Sequence, residues 1–259
     1  MLNLIHGDCL KKLKDISDNS VDIVITDLPY GIFKKENKNK CIEWDNKLNL
    51  KDLWRELWRV SKETTPIFMF ADFKFAVELI NSQPKYFKYE IVWCKKQTTT
   101  PMLSYKRFGK ATEYILVFYK KQPVYNYEKY HTIYKDKVKK LSGGGLGHKK
   151  KKGGFSGKYW EPQLPINIIK CGNINTKYHK KLKRIKGITQ KPVQLMEHLL
   201  KYFSNENDVC LDPCMGSGST GEACKNLNRS FIGIELKKEH FDYAKQRLEG
   251  EGKEGIIEI

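Results

Sequence analysis

With 259 residues, 40% apolar and 30% charged, the chain is long enough for one large α/β domain and reads as soluble and globular. No apolar run approaches the roughly 20 residues of a membrane span, and residues 1–10 lack the layout of a signal peptide, so no membrane partner and a cytoplasmic location are expected. The net charge of +18 is concentrated in residues 120–188, which carry 19 Lys/Arg against 3 Asp/Glu, and a polyanion, most commonly nucleic acid, is its natural partner.

In chain order, Leu2 to Ile5 reads as a short strand, followed by His6-Gly7-Asp8-Cys9 and a helix from Leu10 to Ile16. Val21 to Thr26 is an apolar run, a buried strand, and it delivers Asp27-Leu28-Pro29-Tyr30-Gly31 to its C-terminal rim. In open α/β sheets ligands bind at that rim. A carboxylate there can accept hydrogen bonds from an exocyclic amine, and a Tyr ring can stack on a planar base. A plain turn with a capping Asp, and Tyr30 as core packing, are the simpler readings. Residues 31–49 form a long polar loop beside the rim.

Leu50 to Ser61 is an amphipathic helix, Pro66 to Phe70 a buried strand, and Phe73 to Ile80 a further helix. Two aromatic-rich strands, 87–94 and 114–119, flank a polar loop over 95–112. Residues 122–188 break this rhythm. Glycine and lysine runs, including Lys149 to Lys152, alternate with aromatics such as Tyr159 and Trp160, a mixture suited to phosphate contact and base stacking. The seven cysteines are scattered without a CxxC pair, which argues against a disulfide framework and a structural zinc site; no metal is expected.

Regular structure returns at Thr189-Gln190-Lys191-Pro192, with Pro192 suited to the first turn of a helix that carries Leu195, Met196, Leu199 and Leu200. A strand, Val209 to Leu211, then leads into Asp212-Pro213-Cys214-Met215-Gly216-Ser217-Gly218-Ser219-Thr220-Gly221 and a helix from Thr220 to Asn228. Glycines there permit close backbone approach to a ligand. The next strand, Phe231 to Ile234, ends in Glu235, close to the ~20 residues after the glycines at which an acid holds ribose hydroxyls. A turn opened by the Asp212 carboxylate suits a ligand with an ammonium group rather than a pyrophosphate. A helix cap at Asp8, a solvated strand end at Glu235 and an ordinary surface lysine at Lys191 are the plainer alternatives.

Taken together, these stretches resemble the permuted, β-class-like DNA amino-methyltransferases, in which the catalytic half precedes the cofactor half. Asp27-Leu28-Pro29-Tyr30 resembles the family's Asp-Pro-Pro-Tyr motif, with Leu28 for the first Pro. Asp212 to Gly221 resembles its cofactor loop, with Cys214 for the usual Phe. Thr189-Gln190-Lys191-Pro192 resembles the segment that opens the helix before that loop, and Gly7-Asp8 the acidic contact to the cofactor adenine. The resemblance covers residues 1–121 and 189–259. It implies a Rossmann-like α/β fold: a mostly parallel twisted sheet with an antiparallel edge, strands 87–94 and 114–119, and a basic target-recognition insertion over 122–188. S-adenosylmethionine is the implied cofactor. It would be held by Asp8, Cys9, Thr189, Lys191, Asp212, Pro213, Gly216, Gly218 and Glu235, and catalysis would fall to Asp27, Leu28, Pro29 and Tyr30. The implied reaction is methylation of adenine N6 in double-stranded DNA, with cytosine N4 methylation and a catalytically idle DNA-binding subunit as alternatives. The resemblance also allows a homodimer and a companion restriction endonuclease as partners.

Overall fold

The computed structural model describes residues 1–30, 48–130, 165–172 and 190–250. The expected loop over 31–47, Lys149 to Lys152, Tyr159, Trp160 and Thr189 therefore lie outside the described residues, as does most of the 122–188 segment.

Among the described residues the chain begins with β1 (Leu2–His6), α1 (Cys9–Lys12), β2 (Ile23–Thr26), α2 (Leu50–Val60), β3 (Ile67–Ala71) and α3 (Phe73–Ser82). It continues through β4 (Phe87–Cys94), β5 (Thr112–Phe118), the short α4 (Tyr127–Tyr130) and β6 (Ile168–Lys170). It closes with α5 (Val193–Phe203), β7 (Val209–Asp212), α6 (Ser219–Asn226), β8 (Ser230–Glu235) and α7 (Lys238–Glu249). The eight strands form one sheet in the order β1-β8-β7-β2-β3-β5-β4-β6. β5 alone is reversed, antiparallel to both β3 and β4, while every other neighbouring pair is parallel.

Helices cover both faces, so the central strands are apolar in continuous runs rather than alternating: every residue of β2 and of β3 is buried. One face sends Val24, Ile67, Met69 and Leu211 into a core with α2 and α3. The other sends Ile23, Ile25, Phe68 and Phe231 against α5, α6 and α7. Asn49 caps α2 by accepting from Lys51 N at 3.0 Å, and Asp72 caps α3 by accepting from Phe75 N at 2.9 Å.

Several elements differ from the sequence reading. The single helix expected over Leu10 to Ile16 is the one-turn α1 followed by a 3₁₀ turn, Leu13–Asp15, closed by Ile16 N donating to Leu13 O at 3.1 Å. Arg59 completes that end by donating to the Leu13 and Ile16 carbonyls. Pro192 is the N-cap of α5 rather than a first-turn residue: its ψ is 130°, and its carbonyl accepts from Leu195 N at 3.1 Å. The antiparallel strand is not the sheet's outer edge, because β6 adds parallel to β4 beyond it. Helix α7 has no counterpart in the expected elements. Among the described residues, no helix is long and apolar enough to cross a membrane.

Candidate active site

The chain leaves β2 toward β3 on one side and β7 toward β8 on the other, and a crevice opens outside the strand ends where the order reverses. A cavity of about 690 Å³ occupies that crevice. Asp8, Asp27, Glu113, Lys191, Asp212 and Glu235 all face it, so the two motifs at opposite ends of the chain share one site.

Asp27 follows the last residue of β2, and both its oxygens are engaged. Tyr30 Oη donates to Oδ1 at 2.6 Å, and Lys191 Nζ donates to Oδ2. Lys191 also reaches Glu113 Oε1 at 3.2 Å, and Lys95 Nζ meets Glu113 Oε2 at 2.7 Å. A chain of alternating charge thus runs Asp27, Lys191, Glu113, Lys95. It exists because β5 is reversed: its second residue, Glu113, stands at the rim where the parallel strands present their last ones. Burial pulls the Lys191 pKa down, but Asp27 and Glu113 more than reverse this, and it lies above its ordinary value. Burial likewise raises Glu113, yet Lys191 and Lys95 outweigh it and hold the carboxyl low. Burial, with Asp27 and Glu113 nearby, pushes the Tyr30 hydroxyl well up, so it stays a donor. Its ring lies tilted on Phe75, 5.0 Å between centroids.

The second half of the site is the loop after β7. Gly216 (φ +50°) and Gly218 (φ +76°) adopt the left-handed conformation that side chains disfavour. A Cβ on Gly216 would meet nothing within 4 Å. Asp212 is buried; its Oδ1 accepts from Cys214 N at 3.1 Å and its Oδ2 from Thr220 Oγ1 at 2.8 Å. Burial pushes its pKa up to about 7 despite these bonds. Glu235, also raised by burial, accepts from Gly216 N at 3.0 Å and Lys237 N at 2.8 Å. Beneath the loop, Arg247 of α7 pairs with Glu222 at 2.5 Å and donates to Ser217 O at 2.8 Å, which fixes the turn from below.

Of the expected residues, the structure brings together Asp27, Leu28, Pro29, Tyr30, Asp8, Cys9, Lys191, Asp212, Pro213, Gly216 and Glu235 around the cavity, and Thr189 lies outside the described residues. Gly218 forms the N-cap of α6 at the back of the loop. Asp8 does cap α1, accepting from Leu10 N at 2.8 Å, while still facing the cavity. Lys191 contacts the Asp27 end of the site. His6 bonds the Leu236 carbonyl from its Nε2 at 3.1 Å. Cys214 touches Cys9, a contact that, with burial, raises its thiol pKa. Glu113, Lys95 and Arg247 are absent from the motifs. For Arg247 a signal existed in the helical spacing of Phe241, Ala244 and Leu248.

The residues present fit S-adenosylmethionine. Asp212 is a buried carboxylate that forms no ion pair among the described residues, so a ligand ammonium would complete it. The floor at Gly216 lies open toward the cavity, and Glu235 keeps lone pairs for hydroxyl donors.

The sequence matches the family described as DNA methylase over residues 21–246. It is 30% identical to the Type II methyltransferase M.HpaI of Haemophilus parainfluenzae, over 96% of this chain and 74% of that protein. It is 31% identical to the Type II methyltransferase M.BglII of Bacillus subtilis, over 98% and 71%. Its fold is similar to that of M1.HpyAVI in complex with S-adenosylmethionine, with a TM-score of 0.59 and 26% identity over 96% of this chain and 99% of that one. A reversed strand in an otherwise parallel sheet, a crevice holding both motifs, and a match across most of its length establish that the chain belongs to the N6/N4 DNA methylases and is an S-adenosylmethionine-dependent DNA methyltransferase.

Proposed function

We propose that the chain methylates the exocyclic N6 of adenine at specific sites in double-stranded DNA, on a base turned out of the helix. The observation that carries this is the Asp27 carboxylate at the β2 rim, in the same cavity as the buried Asp212.

An exocyclic amine is a poor nucleophile because its lone pair is delocalised into the ring. Asp27 accepts one of its N–H bonds and the Leu28 carbonyl the other, which concentrates electron density on nitrogen and fixes its direction. Leu28 supplies that carbonyl as well as Pro would. Pro29 sets the backbone, and the Tyr30 ring stacks on the base. Lys191, itself anchored on Glu113, orients Asp27. The Tyr30 hydroxyl, 3.4 Å from Glu113 Oε1, has a second acceptor when the amine takes its place on Asp27.

When bound, S-adenosylmethionine supplies the electrophilic methyl group. Asp212 would hold its ammonium, Glu235 the ribose and Asp8 the adenine. Cys9, Pro213 and Gly216 would shape the walls, Gly218 would support the loop, and Thr189 and Lys191 would complete the set. A base paired inside a duplex cannot reach this crevice, so it must be flipped. The basic 122–188 segment would read the DNA. Asp at the first motif position favours adenine by family analogy.

The test is to express the chain in cells free of DNA methylation, sequence the DNA with a method that sees modified bases, and analyse its nucleosides. N6-methyladenine within a recurring sequence is expected. N4-methylcytosine would overturn the choice of base, and unmodified DNA with intact cofactor binding would make the chain an idle subunit.

A further inference from the structure

The loop joining β4 to β5 is ordered yet leaves its largest apolar side chains bare. Its neck is closed by Lys95 N donating to Ala111 O and Thr99 N to Lys110 O, both at 2.8 Å. A 3₁₀ turn, Pro101–Leu103, leads into Arg107 N donating to Leu103 O at 3.0 Å. A Cβ on Gly109 would collide with the Thr98 and Ser104 side chains, so the tip is folded tightly upon itself. Nevertheless Met102 is 87% exposed, Tyr105 96% and Phe108 fully. Packing among the described residues does not explain three such side chains on one tip, and an exposed apolar patch of this kind marks a contact surface.

Charge identifies the partner. Residues 95–110 contain Lys95, Lys96, Lys106, Arg107 and Lys110, and no acid. Cations around aromatic rings are the chemistry that takes phosphates and stacked bases together, whereas a second copy of the same loop would be repelled. Place identifies the role. Lys110 at the base of the tip lines the same cavity as Asp27, and Lys95 at the neck pairs with Glu113 at 2.7 Å. The loop that carries the tip therefore begins and ends beside the crevice.

We propose that the 101–108 tip is a wedge that enters the DNA stack beside the target base, with Tyr105 and Phe108 stacking where that base was, while Lys106 and Arg107 hold the flanking phosphates. This rests on the DNA-methylating function proposed above and adds a DNA-opening element that lies outside the 122–188 segment in sequence. Apolar or aromatic side chains inserted at a base step offset the cost of unstacking it.

The test compares the full-length protein with its Tyr105→Ala, Phe108→Ala double variant. The DNA is a short duplex carrying the site that the wild type methylates in genomic DNA, prepared fully paired and with the target base opposite an abasic position. On the paired duplex turnover should fall about tenfold or more, the scale of one lost base-stacking contact. The abasic duplex, whose target base is already loosened, should restore the variant to within about twofold of the wild type. A Tyr105→Trp, Phe108→Trp variant should keep activity on both, and calorimetric affinity for S-adenosylmethionine should not change. Unchanged turnover on the paired duplex would overturn the wedge. So would equal losses on both duplexes, or a wild-type dimer that the alanine variant disperses. A wild type that binds the cofactor and methylates no DNA would sink the underlying function first, a result distinguishable from all of these.

Discussion

Replacing Lys191 by Met removes the charge between Asp27 and Glu113 and keeps much of the stem. Breaking a buried ion pair from one side costs about 3–5 kcal/mol. Here two features reduce that figure. Glu113 retains Lys95 at 2.7 Å, and the Asp27 side chain is 33% exposed, so water replaces part of the lost contact. A loss of about 1–3 kcal/mol at pH 7 follows, which lowers Tm by roughly 2–4 °C per kcal/mol in a chain of this size. The pH dependence carries a sign. Lys191 has a raised pKa, so its contribution is complete below its ordinary value of 10.5 and fades only as pH rises through the higher folded value. Glu113 has a lowered pKa, so its contribution is present above 4.5 and is lost as pH falls through a value below that. The gap between wild type and Lys191→Met should therefore be full near neutrality and narrow only as pH falls below 4.5. Urea unfolding at a series of pH values from 7 downward follows both. A variant as stable as the wild type at pH 7, or a gap that widens on acidification, would refute the alternating-charge account.

Asp27→Ala should lower kcat by at least ~10²-fold while leaving calorimetric cofactor affinity nearly unchanged; turnover at the wild-type rate would remove Asp27 from the chemistry. Because burial pushes Asp212 up to about 7, cofactor affinity should rise with pH through that region, and Asp212→Asn should bind weakly with a flat profile, as calorimetry across pH 6–8 would show. Replacing Lys149 to Lys152 by Ser should weaken binding to specific and random duplexes alike and flatten the log–log salt slope by roughly 0.9 per lost phosphate contact, read by titration at several salt concentrations.

The buried middle of the sheet was the most legible part of the chain. β2, β3 and β7 are short apolar runs that each end at a carboxylate (Asp27, Asp72 and Asp212), and strand 87–94 appears with the expected bounds. Asp8, Asp27, Asp212 and Glu235 were also legible, because each sits at or near a strand end, whereas Lys191 stands just before α5. Helix α7 was harder to see: its buried side chains, His240, Tyr243, Ala244 and Leu248, include polar types and are separated by charged residues. Glu113 gives no signal of its own. It is one acid at the start of an aromatic strand, and only the reversal of β5 brings it to Lys191, a residue 78 positions later. The same reversal makes Lys95 part of the site rather than one more loop cation. Asp8 caps α1 through one oxygen and also lines the cavity, so the plainer reading of that residue does not exclude the other.

The seam between β2 and β7 joins the two halves of the chain: Ile23 lies beside Cys210, Val24 beside Leu211, and Val209 N donates to Asp22 Oδ2 at 3.0 Å. During synthesis, then, β2 emerges long before its neighbour and waits with a bare edge, while β1 has no partner until β8 arrives. Such distant pairings delay folding and leave apolar strands uncovered meanwhile. A ribosome that stalls between the halves releases a piece whose sheet is open along its most apolar strand. The order of segments that places catalysis first thus leaves the nascent chain with unpaired apolar strand edges until its last quarter is made.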